Sequence, residues 1–139
     1  MTEETAAPTA PPGGRDTADF VQVRMPAESA YLSVLRTAAA GLAARLDFTL
    51  DEIEDLRIAI DEACAMLLAQ AIPGTDLECV FELGPDLVTI TVSVTAAGAR
   101  MPARDTFAWT VLAALAGTVD SRLGPDDQVS IVLAKRRGG

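Results

Sequence analysis

Apolar positions along the chain alternate over a short stretch, then recur at helical spacing, and later switch between these two periods again. Phe20, Val21 and Val23 read as a short strand that stops at Pro26, so the folded part starts near Asp19. Over residues 28–46, Tyr31, Leu35, Ala38, Leu42 and Leu46 fall on one side of a helix. Ser33, Thr37, Ala40 and Ala44 give its opposite side a smooth surface of small groups. A second helix begins at Thr49, where Thr49-Leu50-Asp51-Glu52 is a capping box with the Glu52 carboxylate placed to reach back to the cap amide. Its seam is Ile53, Leu56, Ile60, Ala63, Cys64, Leu67 and Ala71, and Pro73-Gly74 ends it.

The period then changes to two. Leu77, Cys79, Phe81 and Leu83 alternate with Glu78 and Glu82. After a Gly84-Pro85-Asp86 turn, Val88, Ile90, Val92 and Val94 alternate with Thr89, Thr91 and Ser93, which predicts an antiparallel hairpin with one buried face. A polar connection over residues 96–105 leads to a third helix over residues 106–118. Phe107, Trp109, Val111, Leu112 and Leu115 make it apolar nearly all round, as expected of a helix covered on more than one side. A short extended piece near residues 119–122, a turn at Gly124-Pro125-Asp126-Asp127 and a strand over residues 129–134 close the chain. The order predicts an α+β, two-layer sandwich: one mainly antiparallel sheet covered on a single face by three helices. Residues 1–18, with Pro8, Pro11, Pro12, Gly13 and Gly14, read as a disordered N-terminal tail, and residues 19–137 as a single domain.

Composition narrows the chemistry. With four Phe, one Trp and one Tyr in 139 residues, the core must be made largely of Ala, Val, Leu and Ile. Twenty acidic against eleven basic residues give a net charge of −9, which argues against direct binding to nucleic acid or to an anionic membrane. No histidine is present, so Ser-His-Asp and Cys-His catalysis and histidine-based metal sites are excluded, and the two cysteines, Cys64 and Cys79, do not make a metal site. Glu3 and Glu4 stand where a secretory signal needs bases, and no apolar run reaches the roughly 18 residues of a membrane span. The expected location is cytoplasmic, with both thiols reduced and buried as small hydrophobes rather than forming a redox switch.

Seven of the twenty acids lie within residues 47–62. Asp51, Glu52, Glu54 and Asp55 belong to the first turns of the second helix, where the helix dipole favours them. Asp61 and Glu62 are different, being mid-helix among apolar neighbours. Glu62 lies roughly 160° from Ile60 on the helical wheel, and Ile58, Ala65, Met66 and Ala69 frame it. Such a carboxylate is either a solvated acid or a functional one.

The run Asp55-Leu56-Arg57-Ile58-Ala59-Ile60-Asp61-Glu62-Ala63-Cys64 resembles the N-box helix of the histidine-kinase-like ATPases, in particular of the RsbW-type anti-sigma factors. These are bacterial serine kinases that sequester an alternative sigma factor. The preceding residues 44–52 are similar to that family's link between its first two helices, and the resemblance spans about residues 20 to 135. It implies that Glu62 occupies the position of the catalytic base, and that Met66 stands where the family has an asparagine that ligates magnesium. A thioether is a poor ligand for a hard cation. The first glycine box maps onto Ala96-Ala97-Gly98-Ala99-Arg100, with Ala96 in place of the adenine-binding acid and Gly98 as the one surviving, vestigial cofactor-binding glycine. The second maps onto Thr106-Phe107-Ala108-Trp109, which has no glycine to let backbone amides approach phosphates.

The resemblance further implies that partners meet the first helix at Arg36, beside the small face of Ser33, Thr37 and Ala40. Without the resemblance, Arg36 reads as a solvated arginine bridging nearby acids. The expected function is therefore that of an anti-sigma factor, binding an alternative sigma factor and antagonised by an anti-anti-sigma protein, without nucleotide or metal. The alternative is an active serine kinase, using ATP and magnesium to phosphorylate the anti-anti-sigma protein with Glu62 as base. A self-associating domain, a homodimer through the small-residue face, is the third reading.

Overall fold

The computed structural model describes residues 19–138, so the tail expected over residues 1–18 lies outside the described residues. Its elements are β1 (Asp19–Pro26), α1 (Leu32–Arg45), α2 (Leu50–Leu68), β2 (Asp76–Leu83), β3 (Leu87–Thr95), α3 (Phe107–Leu115), β4 (Thr118–Gly124) and β5 (Gln128–Arg136). All strand pairings are antiparallel, in the order β1-β2-β3-β5-β4. The α+β two-layer sandwich expected from the pattern is the observed architecture.

The register explains the layering. Phe81 pairs with Ile90 and Ile90 with Leu133, while Cys79 pairs with Val92 and Val92 with Ile131. These six residues thus form two continuous cross-strand rows on one face, and every member of the two rows is fully buried. The intervening Glu78, Glu82, Thr89, Thr91 and Ser93 stay partly accessible on the other face. Over the apolar rows lies α2, burying Leu56, Ala59, Ile60, Ala63, Cys64 and Leu67. Burial pushes the Cys64 thiol up to about 12 and raises that of Cys79 as well, so both are protonated packing groups at neutral pH.

Two expectations need correction. The first helix does not run from residue 28: a 3-10 turn, Ser29–Tyr31, precedes α1, and the buried stripe is Leu32, Leu35, Ala39 and Ala43. Tyr31 is 43% exposed instead of lying in the seam, and Ala38, Leu42 and Leu46 only border the core. The sequence shows a broad apolar sector, and close approach of α1 to α2 selects the edge carrying the smaller Ala39 and Ala43. The second correction concerns α3, which ends at Leu115 and is covered on one side alone. It sits at the end of the sheet, packed on α2 and beside edge strand β4, so it buries Trp109 and Leu112 and leaves Phe107 82% exposed.

The chain end is tied down. Thr49 Oγ1 accepts from the Glu52 amide at 3.1 Å and Glu52 Oε1 from the Thr49 amide at 2.8 Å, which is the capping box read from the sequence. Glu52 Oε2 also accepts from the Gly138 amide at 2.6 Å, and Arg137 Nη1 donates to the Leu46 carbonyl at 2.7 Å. The bonds from the Thr49 and Gly138 amides hold the Glu52 carboxyl below its usual range, the Thr49 amide contributing most.

Candidate functional site

The candidate residues fall on two surfaces. On the first, α1 and α2 pack side by side, and Arg36 Nη1 reaches across the seam to Asp61 Oδ1 at 2.9 Å. A single nitrogen is engaged, so Nε and Nη2 keep free donors among the described residues. Ser33 and Thr37 are exposed and Ala40 is half-buried, so the small-residue face of α1 is open to solvent. Arg36 does bridge an acid, as a reading without the resemblance expects, and it remains half-accessible beside that face.

Glu62 follows Asp61 on α2. It is half-buried and forms no ion pair among the described residues, while Ile58, Ala65 and Ala69 around it are exposed. That environment is the one the helical wheel predicts.

The second surface lies one turn further along α2. A groove of about 310 Å³ opens between the end of the helix and the connection that follows β3, lined by Met66, Ala69, Gln70, Arg100, Met101, Pro102 and Ala103. Met66 is in its wall. Glu62 and Gly98 are not, although Gly98 adopts a positive φ of 62° that turns the connection. Gln70 is the residue that sequence reasoning missed. Its Nε2 donates to the Arg100 carbonyl at 2.8 Å and its Oε1 accepts from the Arg100 amide at 3.1 Å. The two residues are 30 positions apart, and no local pattern signals such a pair.

Beyond the groove, the start of α3 is closed by its own cap. The Thr106 hydroxyl accepts from the Trp109 amide at 3.2 Å, satisfying one of the donors that a helix N-terminus otherwise offers to an anion. Arg104 stands beside it with its guanidinium 4.9 Å above the Trp109 ring, donating to Asp120 Oδ1 at 2.9 Å and to the buried Ser121 hydroxyl at 3.1 Å. The Arg104 hydrogen bond holds the Asp120 carboxyl below its usual range. A second depression, of about 350 Å³, lies by the open face of the sheet, where Arg24 is already paired with Asp76 at 2.8 Å.

No protein-family model matches the chain. The serine-protein kinase RsbW of Bacillus subtilis is 39% identical over 57 residues, covering 41% of this chain and 36% of that protein. The anti-sigma-F factor RsbW of Mycobacterium tuberculosis is 32% identical over 101 residues, covering 73% of this chain and 60% of that protein. The chain therefore spans less than two thirds of the length of either relative. Among solved structures, the RsbU and RsbW domains of a Mycobacterium tuberculosis protein superpose with a TM-score of 0.62 at 14% identity, over 85% of this chain and 32% of that one, which shows a common fold. None of the helices among residues 19–138 is long and apolar enough to cross a membrane. Relatedness in sequence, together with a shared fold, makes this an RsbW-type protein.

Proposed function

We propose that the chain is a sequestering RsbW-type protein that binds an alternative sigma factor, yields it to an anti-anti-sigma protein, and works without nucleotide. The relatives carry the names anti-sigma-F factor and serine-protein kinase, which supports partner switching as the setting. The observation that carries the nucleotide-free part is the state of the groove and the helix beyond it. A Met66 thioether stands where a hard cation needs an oxygen, Gln70 engages the Arg100 amide, and Thr106 caps the first turn of α3. These residues do not fit a nucleotide with its magnesium ion. Each lost charge-assisted contact is worth about 1.5 to 3 kcal/mol, so losing two or three moves a micromolar site to the millimolar range or beyond.

The partner half of the reading rests on the α1 face. Small side chains at Ser33, Thr37 and Ala40 let another backbone approach, and Arg36 offers two unused nitrogens beside them. A net charge of −9 suits a basic partner and speeds encounter with it.

Two measurements on the intact chain test the halves separately. Calorimetry with Mg·ATP at physiological concentration is expected to give no binding heat, and labelled ATP no phosphate on an anti-anti-sigma protein; transfer that depends on Glu62 would establish the kinase instead. In a sigma-factor titration, Arg36→Glu is expected to weaken binding by about 2 kcal/mol or more, roughly 30-fold, at unchanged melting temperature. Unchanged affinity would remove α1 from the interface.

A further inference from the structure

Of the ion pairs among the described residues, one joins the two long helices: Arg36 on α1 and Asp61 on α2, 25 positions apart. Helix α1 carries no acid of its own over residues 32–45, so no neighbour on the same helix can hold this arginine. Asp61 does have a local choice, because Arg57 stands one turn before it on α2, at the spacing that pairs charges along a helix. Arg57 turns instead to Glu54 at 3.4 Å, and Asp61 is left to Arg36 at 2.9 Å. The backbones beneath the pair are fixed. Leu35 and Ile60, the preceding residue in each helix, are fully buried, and the small Ala39 and Ala43 let the helices approach closely. The core, and not the two flexible side chains, therefore sets the gap that the ion pair spans.

Which nitrogen is engaged matters. A guanidinium takes a carboxylate most strongly through two parallel N–H bonds, and Nε together with Nη2 forms one such edge. Asp61 accepts from Nη1, the nitrogen outside that edge, so the Nε and Nη2 fork stays whole and has no partner among the described residues. An arginine with no anchor spreads over many rotamers and has to be ordered when a partner binds, whereas an anchored one is already ordered.

We infer that Asp61 is the positioning residue of the partner face: it holds Arg36 by Nη1 across the α1–α2 seam, so that the Nε and Nη2 edge stands ready for a carboxylate of the partner. This rests on the reading of the α1 face as the partner surface, and adds that the face is built from two helices. Asp61 acts through Arg36 and makes no contact of its own with the partner.

Two readouts on the full chain test this. In the free protein, nitrogen-15 relaxation of the arginine Nε–H groups is expected to show Arg36 restrained in the wild type and in Asp61→Asn, which keeps an oxygen to accept from Nη1. In Asp61→Ala it is expected to be as mobile as Arg100, whose side chain has no ion pair or hydrogen bond among the described residues. In a titration with a sigma factor that the wild-type chain binds, Asp61→Ala is expected to weaken binding about fivefold, the effect of ordering one long side chain. Asp61→Asn should recover most of that loss, and Asp61→Ala should add nothing in an Arg36→Ala background. Equal Arg36 mobility in wild type and Asp61→Ala would overturn the positioning. So would a loss that persists in the Arg36→Ala background, which makes Asp61 a direct contact, and so would tighter binding by Asp61→Ala, which makes it a competitor for the arginine. If Arg36→Ala weakens binding and Asp61→Ala does not, this proposal fails alone. If Arg36→Ala binds like the wild type, the α1 face fails as a partner surface and the proposal falls with it.

Discussion

Two segments of this protein leave regular structure and are brought back to it by side chains that bond to backbone, and they differ in redundancy. Around the start of α2, the turn after α1 and residues 137–138 are joined by Glu52, which serves Thr49 and Gly138 together, and by Arg137 on the Leu46 carbonyl, while the Arg137 amide is held separately by the Asp86 carbonyl of the β2–β3 turn at 2.7 Å. Losing any one of these leaves the others. Over the groove, the Gln70 side chain makes the only hydrogen bonds from residues 97–103 to the rest of the fold among the described residues, with Ala99 packed against the core. Several weak tethers in parallel keep a junction closed when one of them is lost, whereas a single reciprocal pair has no other hydrogen bond in reserve. The rigid point on the groove side lies beyond α3, where Gly117 presses against β5 and the buried Lys135 ammonium donates to the Leu115 carbonyl at 3.2 Å.

That contrast is most sharply broken at Gly117. A Cβ added there would stand 2.8 Å from the Ala134 carbonyl oxygen, which is backbone held in the sheet, so Gly117→Ala has to push β4 from β5 or shift the exit of α3. The expected destabilisation is about 1 to 3 kcal/mol in urea unfolding. An unchanged midpoint would mean that this exit yields to the added methyl group without cost.

Thr49→Ala tests the redundant side. It removes the cap of α2 but leaves Glu52 free to hold Gly138, so the expected cost is about 1 kcal/mol, with the Gly138 amide still protected from exchange. Deprotection of Gly138 in this variant would show that the tethers form one unit and not several.

The smallest expected effect separates the two sides by pH. Glu52 and Asp120 both have folded pKa values below their ordinary 4.5 and 3.8, through the Thr49 amide and the Arg104 guanidinium respectively. Groups of this sign stabilise the fold above the unfolded pKa, and the contribution is lost as pH falls through the folded one, so stability declines below about pH 4.5. Glu52→Gln should flatten the upper part of this decline, and Asp120→Asn the lower part, where Arg104 loses its partner. Overlapping melting curves between pH 5 and pH 2 for wild type and both variants would refute the assignment.

What the chain determined by itself is what its local chemistry writes down. The alternation of Leu77, Cys79 and Phe81 with glutamates, and of Val88 to Val94 with threonines, has one solution in a half-buried hairpin, and Thr49 and Glu52 meet within a single helical turn. Glu62 faces outward because a helix of fixed period cannot bury both it and Ile60. Other features depended on which sides of the elements meet. An apolar sector wide enough to bury either Tyr31 or Ala39 does not name its own edge, and an all-apolar α3 does not reveal that it caps the end of a sheet with nothing over Phe107. Arg36 with Asp61, 25 positions apart, and Gln70 with Arg100, 30 apart, are pairs between elements. Hydrophobic period and capping act within a few residues, whereas a bond between two side-chain or backbone groups from distant segments exists only once the packing has set their separation to within a fraction of an ångström.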